Sequence, residues 1–423
     1  MALTIGAFFA IMLAGVPIAL CLCLGALVFI AATGSMQLLP NYPLQMFGGV
    51  DSYGLIAIPL FILIGEIMNA GGITKKIVDM AMAFVGSLRA GLAYVNAIAN
   101  MFVASILGSA TAQVAIMSQI MVPEMEKKGY DKDFAAGLTA YGGMLGSIMP
   151  PSVMFVVYSV MAQVSVSDML MAGLVPGLIL TALFCVIIAI IGHYKQLPRS
   201  EPQTLRERAR TVWAAVPSLS IPIVIVGSIF SGFASATEAG AVGAVMSLVI
   251  GRFWTKQLKF SQLPAIMTRA GLYSAIVLFL VVAAGVLSWI LVFGKVPQEV
   301  ASWIQTVARD PITFMLLVNV ILLVIGTVID GIPGLIMTVP ILLPIATQVY
   351  GIDPHHFGVV VVINLVLGLL SPPVWRCFFV AAAATGANPG RMFMVTMPFF
   401  LITCVLLVIL SIFPSLSLIF VGQ

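Results

Sequence analysis

Two consecutive prolines occur twice in matching surroundings in this 423-residue sequence, at Pro150-Pro151 and Pro372-Pro373. The first pair follows Gly129-Tyr130-Asp131 and the second follows Gly351-Ile352-Asp353, each nineteen residues after its aspartate. Proline lacks an amide hydrogen and its ring clashes with the preceding turn, so each pair breaks a helix and frees carbonyl oxygens. In an apolar setting such carbonyls suit a cation such as Na+. Upstream of each pair lies a second interruption, Gly108-Ser109-Ala110-Thr111 in the first block and Asp330-Gly331-Ile332-Pro333-Gly334 in the second. Arg376 stands four residues beyond Pro372. Its planar guanidinium can grip a carboxylate or sulfonate with two parallel hydrogen bonds, and Asp330 is the other candidate partner. The chemistry on offer is ion binding: cations at the two breaks, and an anion beside Arg376.

The elements that must position these residues are helices in a bilayer. The chain is 61% hydrophobic and 8% charged, which excludes a water-soluble globule. Apolar runs long enough to cross a ~30 Å hydrocarbon core recur at residues 3–32, 169–192, 217–231, 272–293, 312–329 and 393–413. They are continuous rather than alternating, so the expected fold class is an all-α polytopic membrane protein, surrounded by lipid. The run at 3–32 has no basic leader and reads as one retained helix. The five cysteines lie inside apolar stretches without metal-ligand spacing, which implies neither a disulfide framework nor a zinc site. The net charge of +4 belongs to loops beside a membrane rather than to nucleic-acid binding. Lys75, Lys76 and Arg89, the cluster Lys127, Lys128 and Lys132, the linker 195–210, and Arg252, Lys256 and Lys259 mark cytoplasmic loops. The segments 163–167, 231–237 and 351–356 carry no lysine or arginine and are placed outside.

Each interruption upstream of a diproline divides its apolar run into pieces of about 15–18 residues, short for a full crossing at 1.5 Å per residue. Both runs therefore read as re-entrant helical hairpins. The first opens towards the cytoplasm at Lys127 and Lys128 and the second towards the outside at 351–356, which makes the two blocks inverted repeats, each a hairpin plus a proline-broken helix. The implied organisation is 1–92 scaffold helices, 93–162 first repeat, 163–294 scaffold with the basic linker 193–210, 295–390 second repeat, and 391–423 C-terminal helix. Paired broken helices in inverted halves point to a transporter's binding site.

At this point the residues become recognisable. Ala57-Ile58-Pro59-Leu60-Phe61, Gly65 through Ile73, Gly108-Ser109-Ala110, Gly146 through Ser152, Ala172 through Gly177, Thr237-Glu238-Ala239-Gly240-Ala241, Asp330 with Pro333, and Ser371-Pro372-Pro373-Val374 run in order along the whole chain. In this the sequence resembles the large membrane subunit of TRAP (tripartite ATP-independent periplasmic) transporters, within the ion-transporter superfamily. The resemblance implies an elevator-type transporter of the bacterial inner membrane that couples inward Na+ flow to uptake of a small anionic substrate. It also implies two partners, a small four-helix membrane subunit and a periplasmic substrate-binding protein, and no organic cofactor. Carried over, a first sodium site would involve Ser105, Gly108, Ser109, Gly146, Met149 and Pro151. A second would involve Gly326, Asp330, Gly368, Ser371 and Val374. The substrate is expected among Arg376, Ser109, Gly331, Pro150 and Pro372. The sequence departs from the family pattern at Leu107, where a serine is common, at Gln113, where some members carry aspartate, and at Trp375-Arg376-Cys377, which replaces a small polar run.

Other polar residues have simpler readings. Glu238 and Glu66 fit a helix cap or an inter-helix hydrogen bond, Asn364 fits support of its helix, and His193, His355 and His356 fit solvated loop edges. An intramembrane hydrolase built on Ser109 or Ser152 would need a base, and no histidine lies near either serine, so the chain is not expected to be an enzyme. The closer rival is a stand-alone anion symporter of the same superfamily.

Overall fold

The computed structural model describes residues 2–107, 109–199 and 204–422, with side chains throughout except at 2–5 and 104–107. Every named element among them is helical. Nine helical spans among the described residues, some of them joining two elements, are long and apolar enough to cross a membrane, and a helix satisfies its own backbone groups in lipid.

The first apolar run is not one helix. It is split into Ala2–Leu13 and Ile18–Ala32, and Phe8 packs beside Gly25 across the turn, so the two lie against each other. Gly15 takes the left-handed conformation at φ 83° and Pro17 removes an amide donor, a pairing that ends a helix whatever its hydrophobicity.

The first hairpin is Gly91–Leu107 and Ala110–Lys127. Gly129, at φ 87°, turns the chain into the first broken helix, Lys132–Ile148 and Val153–Ala162, whose halves are capped by Asp131 and Ser152. The second hairpin is Pro311–Val328 and Gly331–Pro344, continued by a π-turn at Ile345–Val349. The second broken helix is Pro354–Gly368, capped by Asp353, and Arg376–Thr385. Both diprolines fall in the breaks, and the Pro150-Pro151 and Pro372-Pro373 bonds are cis. Before each hairpin lies a short amphipathic helix, Ile73–Val85 and Val296–Val307, whose polar face keeps it from spanning.

The broken helices form the centre, with residues His356 to Gly368 buried without interruption. They cross reciprocally. The Tyr158 ring, in the second half of the first, covers Gly358 in the first half of the second, where a Cβ would come within 2.3 Å of the ring. The Phe378 ring, in the second half of the second, meets Tyr141 in the first half of the first, with centroids 5.8 Å apart. Val166–Tyr194 and Pro389–Ile412 pack on both broken helices. Leu263–Phe293 packs instead against Ile18–Ala32, Ala57–Ala70 and the second arm of the second hairpin.

Candidate binding site between the hairpin tips

A cavity of about 460 Å³ lies where the two hairpin tips meet. The first tip contributes Ser109 and Thr111 and the second Asp330 and Gly331, with Arg376 from the second broken helix and Met154 from the first. The opposite wall is Pro17 to Ala19, at the turn of the N-terminal pair, and the middle of Leu263–Phe293 around Ile276 and Leu280. Sequence reasoning placed the tips together but missed both of these wall segments. The Gly15–Pro17 pattern was the available signal for the first; the second is plain apolar helix and carried none.

Charge in the cavity is organised around Arg376. Its Nη2 donates to the Val328 carbonyl at 3.0 Å, at the C-terminal end of the first arm, and its Nη1 stands 3.5 Å from Asp330 Oδ2. Asp330 Oδ1 accepts from the Gly331 amide at 2.8 Å and so caps the second arm. Of the two expected partners, the guanidinium therefore has Asp330 at hand. The pair is loose and its side chains are 33% and 47% exposed, a setting in which an ion pair is worth about 0–1 kcal/mol and another anion can compete. Two helix N-termini at this cavity have no side-chain cap, that of Ala110–Lys127 behind Ser109 and that of Arg376–Thr385 behind Trp375. Ser109 Oγ bonds Thr111 Oγ1 at 3.2 Å instead. The Cys377 amide is already bonded to the Leu369 carbonyl at 3.1 Å, so it is at the start of Ala110–Lys127 that free amides and the helix dipole favour negative charge.

Ser109, Asp330, Gly331 and Arg376 are thus brought together. Gly146, Met149, Pro150 and Pro151 are buried behind the cavity at the first break. At the second break Gly326 and Gly368 touch backbone to backbone, where a Cβ on Gly368 would stand 2.5 Å from Gly326 Cα. Ser371 beside them is buried and donates to the Leu367 carbonyl at 3.0 Å, while Val374 is half-buried and Pro372 exposed. Neither Pro150 nor Pro372 lines the cavity. Gly108 lies outside the described residues, and so does the Ser105 side chain. Gln113 is fully buried behind the first tip, with its Oε1 directed at Gly146 and without a hydrogen-bond partner.

The remaining polar residues are structural. Glu66 pairs with Arg269 at 2.9 Å, and Glu238 closes a capping box with Ser235. Asn364 donates to Asn319 Oδ1 at 2.6 Å, and Asn319 donates to Ser411 at 2.9 Å. The expectation of solvated histidines fails at His356, which is 1% exposed with Nδ1 2.7 Å from Ser417 Oγ, and at His355, whose side chain is largely covered with Nδ1 3.2 Å from Asp353 Oδ1. The Asp353 cap draws the start of its helix inward, and the C-terminal Ser415–Leu418 turn covers the His356 ring. Ser152, one of the two serines weighed for a hydrolase, spends its hydroxyl on the Ser147 carbonyl.

A family model described as "Tripartite ATP-independent periplasmic transporter, DctM component" matches residues 5–416. The chain is 35% identical to the C4-dicarboxylate TRAP transporter large permease protein DctM of Pseudomonas aeruginosa, over 89% of this chain and 88% of that one. It is 32% identical to the sialic acid TRAP transporter large permease protein SiaM of Vibrio cholerae, over 96% and 95% of the two chains. Among solved structures it is similar to the Alcanivorax borkumensis YdaH transporter, with a TM-score of 0.65 over 92% of this chain and 90% of that one at 12% identity, a likeness of fold alone.

Proposed function

The chain belongs to the DctM-component family of tripartite ATP-independent periplasmic transporters, and from that premise we propose that it imports a small organic anion, a carboxylate or sulfonate, by Na+ symport. It is a multi-pass protein of the bacterial inner membrane and a permease rather than an enzyme. The observation that carries the reading is the cavity closed by both hairpin tips, with Arg376 and the N-terminus of Ala110–Lys127, which has no side-chain cap, beside it. The relatives named for C4-dicarboxylate and sialic acid support an anionic substrate.

In this reading the substrate's anionic group meets Arg376 and the amides behind Ser109, with Gly331 close by and Pro150 and Pro372 shaping the breaks behind. One Na+ is held at the first break by the tip around Ser105, Gly108 and Ser109 and by carbonyls near Gly146, Met149 and Pro151. The unpartnered oxygen of Gln113 at Gly146 supports a cation there. A second is held by Gly326, Gly368, Ser371 and Val374 near Asp330. Entry of Na+ down its gradient supplies the energy for uptake.

The hairpins and broken helices move as a body against the scaffold, in an elevator motion. Two cavities line the boundary in support of this. Beyond the one at the tips, a second of about 570 Å³ runs along the later half of Leu263–Phe293, between Ser288 and Trp289 on one side and Gln163 and Pro340 on the other. A small four-helix membrane subunit and a periplasmic binding protein complete the system. Uptake of candidate anions by cells that carry all three genes tests the assembly. Loss of uptake on deleting the binding-protein gene is expected, and undiminished uptake would turn the reading towards a stand-alone symporter.

A further inference from the structure

Gln113 Nε2 donates to the backbone and side-chain oxygens of Asn100 at 2.8 and 2.9 Å. Both partners are acceptors, so the amide can face only one way, with Oε1 turned towards Gly146. The same polarity continues along the hairpin. Asn100 Nδ2 donates to Asn96 Oδ1 at 2.7 Å, Asn96 Nδ2 donates to Thr139 Oγ1 at 2.7 Å, and the Thr139 hydroxyl donates to the Ala135 carbonyl at 2.8 Å. All four side chains are 0% exposed. Together they form one directed relay between the first hairpin and the first broken helix.

One end of the relay is satisfied by a backbone carbonyl, and the other ends on Gln113 Oε1, which has no partner. A Cβ at Gly146 would lie 2.1 Å from that oxygen. Gly146 precedes the break by one helical turn, and the amide at Met149 is already bonded to Leu145. A buried acceptor left without a donor costs about 1–3 kcal/mol. Reversing the Gln113 amide would set oxygen against oxygen at Asn100, so the relay cannot relieve it. A small cation can, and each amide upstream polarises the next towards it.

We propose that Gln113 Oε1 is a neutral side-chain ligand of a Na+ bound beside Gly146, held in place by Asn100, Asn96 and Thr139 as positioning residues. This rests on the sodium-coupled reading above. A carboxamide ligand has no proton to exchange, so Na+ affinity at this site is independent of pH near neutrality. Each bound ion then adds its whole charge to the moving body.

The test is thermal unfolding of the chain in lipid nanodiscs with its small membrane subunit, titrated with NaCl against choline chloride at constant ionic strength. The unfolding temperature in choline reads folding and the Na+ increment reads binding. Gln113→Leu is expected to raise the half-saturating Na+ concentration on the order of tenfold, and Asn96→Ala by a smaller factor. Gln113→Glu keeps an oxygen at the position but can still donate to Asn100 only when protonated, so it is expected to retain Na+ stabilisation that depends on pH. Wild-type half-saturation in Gln113→Leu would overturn the proposal and assign Oε1 to a buried water. If Gln113→Leu does not fold, the Glu variant decides: a half-saturation unchanged from wild type at every pH overturns the proposal. Absence of any Na+ increment in the wild type would instead remove the sodium-coupled reading itself.

Discussion

Arg376 holds the second hairpin tip from both sides, through the Val328 carbonyl and the Asp330 carboxylate. A lysine ammonium is a single point charge and cannot keep the carbonyl bond while gripping an anion with two parallel donors. Arg376→Lys is therefore expected to lower the rate of uptake about tenfold, a loss of roughly 1.4 kcal/mol, with protein level and Na+ stabilisation near normal. Unchanged uptake in both Arg376→Lys and Arg376→Gln would remove Arg376 from the site. Ser371→Ala removes one hydroxyl oxygen at the second break and is expected to shift the Na+ dependence of uptake to higher concentration; an identical sodium curve would exclude the hydroxyl as a ligand. At this scale the sequence disclosed what local spacing can carry. Asp330 as a partner for Arg376 followed from the cost of an unpaired guanidinium in an apolar run, and Glu238 from its place at a helix start. His356 was misread because its partner, Ser417, lies at the far end of the chain, and no local pattern records a contact across that distance.

The elements meet through glycines that have no room for a side chain. A Cβ on Gly368 would stand 2.5 Å from backbone atoms of Gly326, which cannot yield as a flexible side chain can. Gly368→Ala is expected to destabilise the protein by about 1–3 kcal/mol or more, read as a lower unfolding temperature in detergent. Gly227→Ala, on a helix with nothing within 4 Å of the new methyl, is the matched control and should be neutral or stabilising. Equal unfolding temperatures for the two variants would contradict the close packing of the second hairpin on its broken helix. The hairpins and breaks were legible because proline and glycine act locally; three arms have 17, 18 and 18 residues, as expected, while Gly331–Pro344 has 14 and runs on into Ile345–Val349. The fold-back at residues 14–17 was equally local, yet the hydropathy of the run outweighed Gly15 and Pro17. The amphipathic helices Ile73–Val85 and Val296–Val307 passed unnoticed because charge counting treats their polar face as loop.

On the scale of the whole molecule, the cavity is lined by two sets of helices. One wall belongs to the tips and breaks, and the other to Pro17–Ala19 and the middle of Leu263–Phe293. Sliding one set past the other would carry the tips along that helix while the breaks travel with them, so ions and substrate would cross together. Composition disclosed the membrane setting and the repeated blocks disclosed the two tips that meet at the cavity, but which helices form its opposite wall depends on packing that no single stretch of sequence encodes. The central claim is that uptake of an anion is driven by sodium. The direct measurement is accumulation of labelled substrate in proteoliposomes that contain this chain and its small subunit, with loaded binding protein outside and an imposed inward Na+ gradient. Accumulation that rises steeply with external Na+ and collapses when the gradient is dissipated is the predicted result; equal accumulation without sodium, driven by a proton gradient alone, would contradict it.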